Sequence, residues 1–242
     1  MHAHEPLIKL EEISFHYPGG PPVLADLSFT LSEHDRIGIV APNGCGKTTL
    51  LHIIMGLLTP SAGKLELFGR AMQTEKDFRD VRRKVGLLFQ DADDQLFSPT
   101  VLEDVAFGPL NMGKSKEEAI ALSRKTLAYL GLADFEDKIT FKLSGGEKRL
   151  VSLATVLAME PRVLLLDEPT AGLDQETKKH LIKTLSDLEM AYLLISHEFD
   201  FLTATTDHMY TMEDGRILVD EELHVHVHEH AHKVGARPHR HV

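Results

Sequence analysis

A single cysteine, Cys45, stands among 242 residues. No internal disulfide can form, which suits a reducing compartment. Long apolar runs are missing as well. The longest nearly apolar stretch, Leu150 to Met159, carries Ser152 and Thr155. It is too short and too polar to cross a bilayer. Met1 to Pro6 has neither the basic nor the apolar block of a secretory signal. Basic residues are outnumbered, 26 Lys and Arg against 37 Asp and Glu, for a net charge of −11. That argues against a general nucleic-acid binder, which carries a basic face. No internal repeat is visible. These absences point to a cytoplasmic globular protein and leave attachment to a membrane through a partner open. An apolar content of 43% is ample for a core.

What is present centres on Ala41-Pro42-Asn43-Gly44-Cys45-Gly46-Lys47-Thr48-Thr49. An apolar run, Ile37 to Val40, precedes it, and Leu50 to Met55 follows, so the stretch reads as buried strand, tight loop and helix. Such a loop aims backbone N–H groups and the positive end of a helix dipole at one point, which favours an anion. Gly44 and Gly46 allow the curl, Lys47 can reach outer phosphates, and the Thr48 hydroxyl suits Mg2+. An ordinary strand-to-helix turn is the plain alternative. Ala41 occupies the place where such loops usually have their first glycine. Cys45 reads either as a small tolerated residue or as a thiol activated by the helix end and Lys47.

Around this loop the chain alternates strands and helices. Leu7–Phe15, Val23–Leu31 and Arg36–Ala41 read as strands, the start of a small antiparallel sheet feeding the loop. Lys64 to Gly69 is a short strand and turn. Phe78 to Lys84 reads as a helix and Val85 to Phe89 as a buried strand. An acidic loop follows, Asp91 to Phe97. Thr100 to about Phe141 is helical in pattern, with breaks at Pro109 and Gly131 and a capping box at Ser115 and Glu118. Arg162–Asp167 and Tyr192–Ser196 are continuous apolar strands, as in a parallel sheet buried on both faces. Asp174 to Leu188 is an amphipathic helix with Leu181, Ile182, Leu185 and Leu188 on one side. His208 to Val219 reads as a hairpin turning at Asp214-Gly215.

Two further clusters carry chemistry. Asp167 and Glu168 close an apolar strand, where one acid could hold a metal's water shell and the other deprotonate a water; solvated strand ends are the alternative. Ser144-Gly145-Gly146-Glu147 opens a helix with a capping box, and reads either as a plain helix start or as a second anion cradle.

Taken together, these segments resemble the ATP-binding subunits of ABC transporters, over roughly Leu7 to Leu223. Ala41 to Thr48 resembles the Walker A loop, Gln90 the Q-loop, and Ser144-Gly145-Gly146-Glu147 the signature, which usually ends in Gln. Leu164 to Glu168 resembles Walker B, Ala171-Gly172-Leu173-Asp174 the D-loop, and Ser196-His197 the switch histidine. The resemblance implies an α/β ABC-ATPase fold with a RecA-like parallel-sheet core, an N-terminal antiparallel β subdomain and a helical insert at about 92–143. It places an ATPase domain at 1–223. It implies ATP and Mg2+ as cofactors and a head-to-tail dimer of two such chains. The nucleotide would be bound by Tyr17, Asn43, Gly44, Cys45, Gly46, Lys47, Thr48 and Thr49 of one chain and Ser144, Gly145 and Gly146 of the other. Thr48, Gln90 and Asp167 would serve Mg2+, and Glu168, His197 and Gln90 catalysis.

Gly86 to Phe97, with Val105 to Pro109, is similar to the energy-coupling-factor branch, above all its cobalt and nickel importers. That implies transmembrane coupling and substrate-capture subunits as partners, a peripheral position on the cytoplasmic face of the cell membrane, and no nucleic acid. Vitamin importers of the same branch carry similar loops, so they remain an alternative. Non-transport ABC ATPases usually add a second cassette, a coiled coil or a basic surface, which this chain lacks. A metal buffer with a vestigial ATPase is disfavoured by intact Lys47, Gln90, Glu168 and His197. From residue 224 the sequence becomes histidine-rich: His224, His226, His228, His230 and His232 alternate, then His239 and His241 follow. Imidazole suits Ni2+ and Co2+, and an extended backbone puts the alternating five on one side. A solvated tail is the alternative.

Overall fold

The computed structural model describes residues 6–218. Alternating apolar residues make strands β1 (Pro6–His16) and β2 (Pro22–Ser32), which pair antiparallel. β3 (Arg36–Val40) does not continue that sheet. Its Ile37, Gly38 and Ile39 are buried on both faces, which suits the interior of a parallel sheet rather than a one-faced antiparallel one. This corrects the expectation that all three first strands form one antiparallel unit. Helix α1 (Lys47–Ile54) follows. β4 (Ala62–Leu67) and the two-residue β5 (Arg70–Ala71) then complete the antiparallel sheet, in the order β2-β1-β4-β5.

Next come α2 (Glu75–Val81), β6 (Val85–Leu88), α3 (Val101–Asn111), α4 (Lys116–Tyr129) and α5 (Gly145–Leu157). β7 (Val163–Asp167), α6 (Gln175–Asp187), β8 (Ala191–Ser196), α7 (Phe199–Thr205) and the hairpin β9 (His208–Glu213) and β10 (Arg216–Leu218) close the described chain. The second sheet runs β10-β9-β3-β8-β7-β6, parallel except for the edge strand β10. The hairpin turns at Asp214 and Gly215, both at positive φ, as expected of the Asp-Gly pair.

Helix boundaries follow local chemistry. α2 starts ahead of Phe78 because Thr74 and Asp77 form a capping box. Pro109 does not break α3: it lies inside, two residues from the end. Its missing N–H costs one bond in the final turn, and the stop falls at Gly113, with φ of +91°. Gly131 ends α4 as expected, at φ of +69°. The short α7 and β5 carry too few residues for a visible period, and the sequence did not reveal them.

Period 2 sorts the buried strands onto two cores. Ile37, Ile39, Leu165, Leu193 and Ile195 face a cluster shared with the antiparallel sheet and α1. Leu164, Leu166, Tyr192 and Leu194 face the other cluster, with α5 and α6. β2 also clasps the hairpin: Ala25 N donates to Gly215 O at 3.1 Å. A Cβ on Gly215 would meet Val23 O at 2.3 Å, at a φ of +73°. Gly215→Ala should therefore cost about 2 kcal/mol. A melting temperature within 1 °C of the parent would contradict this, since about 2 kcal/mol shifts a chain of this size by several degrees.

Candidate active site

The C-terminal ends of β3, β8, β7 and β6 lie side by side, because those strands are consecutive in the sheet. Open parallel sheets bind ligands at this edge. The loop after β3 carries Gly44 at φ +82° and Gly46 at φ +101°. A Cβ on Gly46 would sit 2.8 Å from Leu24 Cδ2 and 3.0 Å from Val23 O, so β2 presses on the loop and only glycine fits. A Cβ on Gly44 would meet nothing within 4 Å, which leaves that side open to a ligand. Ala41 is buried and absent from the left-handed region, so its methyl group is accommodated where a glycine is usual. α1 begins with no side-chain cap, leaving its first N–H groups for an anion.

Lys47 is 6% exposed and Glu168 2%. Lys47 Nζ donates to Glu168 Oε1 at 2.6 Å, and to Ala41 O and Asn43 Oδ1 at 3.3 Å each. The other carboxylate oxygen, Oε2, lies 2.9 Å from His197 Nδ1 and accepts from Ser196 Oγ at 3.3 Å. Burial pushes the Glu168 carboxyl up, but the hydrogen bonds from Lys47 and His197 outweigh it and hold the pKa below its ordinary value. Asp167 goes the other way. Burial raises its pKa, and the Thr48 hydroxyl, which donates to Oδ2 at 2.8 Å, offsets only part of that. Its Oδ1 is buried with no partner.

An orphaned carboxylate oxygen beside a threonine hydroxyl is a hard-oxygen set that fits Mg2+. Among the described residues, no group of three or more His, Cys, Asp or Glu side chains could hold a metal by itself. That suits an ion bound largely through phosphates and water.

Gln90 follows β6 and lines a cleft of about 700 Å3 together with Thr48, His52, Gly145 and Arg149. Ser144 caps α5 in a capping box, with Glu147 Oε2 accepting from Ser144 N at 2.8 Å. A Cβ on Gly145 would meet nothing within 4 Å, so this helix end is also open. Tyr17 is half exposed, and its hydroxyl lies 3.2 Å from Thr49 Oγ1, beside α1. Cys45 is half-buried, and burial raises its pKa above the ordinary value, against the hydrogen bond and charge of Lys47. That direction speaks against an activated thiol and for the small tolerated residue. His224, His226, His228, His230 and His232 lie outside the described residues.

Sequence reading missed Arg149 and Gln95. Arg149 donates to Phe89 O and Gln90 O, and Gln95 Nε2 to Ser152 O. A signal existed: Arg149 shares the buried stripe of α5 with Leu153 and Val156, an odd place for a charge.

The ABC transporter family model matches residues 24–171. This chain belongs to the ABC transporter ATP-binding family. An ABC transporter ATP-binding protein of Nitratidesulfovibrio vulgaris, named without a cargo, is 47% identical over 98% of this chain and 86% of its own length. The cobalt import ATP-binding protein CbiO of Rhodobacter capsulatus is 43% identical over 89% of this chain and 78% of its own. The energy-coupling factor transporter ATP-binding protein EcfA of Methanocaldococcus jannaschii is 40% identical over 88% and 77%. Among solved structures, CbiO1 of Clostridium perfringens, part of the transporter complex cbiONQ, matches with a TM-score of 0.80 and 33% identity, over 89% of this chain and 88% of that one. The dimeric ABC transporter cassette MJ0796 matches with a TM-score of 0.79 and 26% identity, over 88% and 97%. The two-sheet α/β architecture is the ABC cassette fold, and the chain is an ATP-binding ABC ATPase.

The buried Lys47–Glu168 pair carries a stability prediction for the nucleotide-free cassette. Lys47→Met strands a carboxylate at the strand end and should cost about 3 kcal/mol. Because the folded-state pKa of Glu168 is depressed, its contribution is present above the unfolded value of about 4.3 and is lost as pH falls through the lower folded value. Denaturant titrations should find the parent more stable than Glu168→Gln at pH 7, with the gap closing as pH falls below about 4.3. A gap that widens on acidification would reverse the sign assigned here.

Proposed function

We propose that this cassette hydrolyses Mg-ATP as one half of a head-to-tail dimer of identical chains, energising an energy-coupling-factor transporter that imports nickel or cobalt. The ATPase domain spans 1–223, with a helical insert at about 92–143. The observation that carries the catalytic part is the array Lys47–Glu168–His197 beside Thr48–Asp167.

The residues divide the work as follows. The N–H groups from Gly44 to Thr49 cradle the phosphates, with Asn43 and Cys45 shaping the loop. Tyr17 stacks on the adenine. Lys47 exchanges Glu168 for the outer phosphates, since both are anions and the lysine reaches one at a time. Glu168 is then free of its cation and takes the proton of the attacking water, while Ser196 and His197 hold its other oxygen. His197, held at Nδ1 by Glu168, would offer its other ring nitrogen to the γ-phosphate, and Gln90 would orient the water. Thr48, Asp167 and Gln90 would hold Mg2+, which would neutralise phosphate charge. Ser144, Gly145 and Gly146 complete the site of the other chain.

A membrane partner is supported by an apolar groove of about 340 Å3 lined by Leu57, Phe97, Phe107 and Met159. Phe97 is 65% exposed and stacks edge-on with Phe107 at 4.7 Å. No helix among the described residues is long and apolar enough to cross a membrane. By likeness to CbiO and EcfA, the cassette would sit peripherally, on the cytoplasmic face. A metal cargo is supported by likeness to CbiO and by the histidine tail. A vitamin is the second reading, favoured by the loop from Gly86 to Phe97, which vitamin importers share; identifying the metal or vitamin that co-purifies with the assembled complex separates the two.

Glu168→Gln should bind ATP and dimerise, with kcat down by about 10²–10⁴. Turnover like the parent's would remove Glu168 as the base. Deleting 224–242 should lower Ni2+ stoichiometry in a calorimetric titration, and binding to the full chain should weaken as pH falls through about 6.5. Unchanged stoichiometry would dismiss the tail as a metal site.

A further inference from the structure

Arg149 is 4% exposed, and no carboxylate forms an ion pair with it among the described residues. Its two terminal nitrogens donate instead to consecutive main-chain carbonyls, to Phe89 O at 2.5 Å and to Gln90 O. Its hydrogen-bond partners are neutral, and the charges of Asp91, Asp167 and Glu168 nearby offset only part of the cost of burying the guanidinium. What an apolar residue cannot do is take two successive carbonyls at once, as a planar fork can. Phe89 and Gln90 come just after β6 ends, where those carbonyls have left the sheet ladder.

The same loop is tied to α5 at three more points. Gln95 Oε1 accepts from Phe89 N at 3.2 Å, while its Nε2 donates to Ser152 O at 2.9 Å and Thr155 Oγ1 at 2.8 Å. Lys148 pairs with Asp93 at 2.5 Å. α5 is the helix whose open N-terminus carries Ser144, Gly145 and Gly146.

We propose that Arg149 is a positioning residue, locking the Gln90 loop to α5 so that Gln90 in one site and the glycine cradle offered to the other site move as one body. This rests on the ATPase dimer described above. It gives the two sites a rigid link within each chain, running from a residue beside one γ-phosphate to the helix end facing the other.

Arg149→Lys keeps the charge and most of the length but presents a single ammonium to two carbonyls. Its kcat should fall at least about tenfold, because misplacing Gln90 disturbs the reacting geometry, while Lys47 and the N–H groups from Gly44 to Thr49 keep the KM for ATP within about threefold. In a cycle with Gln90→Ala the two losses should not multiply, since one acts through the other. Turnover within twofold of the parent, or fully multiplicative losses, would overturn the link. A second measurement leaves Arg149 in place and so survives a folding defect in the variant. On adding a non-hydrolysed ATP analogue to the unsubstituted chain, amide exchange at 89–91 and at 145–149 should slow together. Change in one segment alone would also overturn it. An unsubstituted protein without ATPase activity would defeat the functional reading itself; a parent and an Arg149→Lys variant with equal activity would defeat only this inference.

Discussion

A cation and an anion, Lys47 and Glu168, meet almost without water where two strand ends converge. Buried charges persist only when paired and hydrogen-bonded. Lys47 must reach Glu168 across the width of β8, which lies between β3 and β7 in the sheet. The order β3-β8-β7 therefore puts the lysine, the histidine and the two acids in contact. Strands β3 and β7 placed at opposite edges of the sheet would separate them and leave each charge to find water. Under the proposed mechanism the pair would also hold base and phosphate ligand in mutual check, so that arrival of phosphate would free the base.

The antiparallel sheet supplies the second constraint. β2 packs on Gly46 from one side and on Gly215 from the other, leaving no room for a Cβ at either place. The phosphate loop is thus wedged between its own helix and a strand from the first sheet. Its curl is fixed by packing before any ligand arrives, which spares a nucleotide the entropy of ordering it. The first core cluster, shared by both sheets and α1, stabilises the loop and the sheet edge together.

Much of this was legible in order along the chain. Buried strands such as Leu164-Leu165-Leu166 read as apolar runs, and Ser144 with Glu147 and Ser115 with Glu118 read as helix starts, because these signals are local. Residues whose position depends on distant partners were not. β3 was placed in the wrong sheet, since a run as short as Ile37 to Val40 fits either sheet until its neighbours are known. The effect of Pro109 depended on how close α3 was to its end. Cys45 was ambiguous because helix dipole and burial pull its pKa in opposite directions, and only packing decides the balance.

The sequence by itself determined the chemistry available: a glycine loop ending in Lys47 and Thr48, two acids after an apolar strand, a histidine after another, and a second glycine-bearing helix start. Those depend on residue type and spacing within a few positions. Tertiary structure alone decided which groups meet. Lys47 and Glu168 are 121 residues apart, and Arg149 reaches Gln90 across 59. Side-chain spacing carries no information over such separations; only the strand order and the packing of α5 against the end of β6 set them.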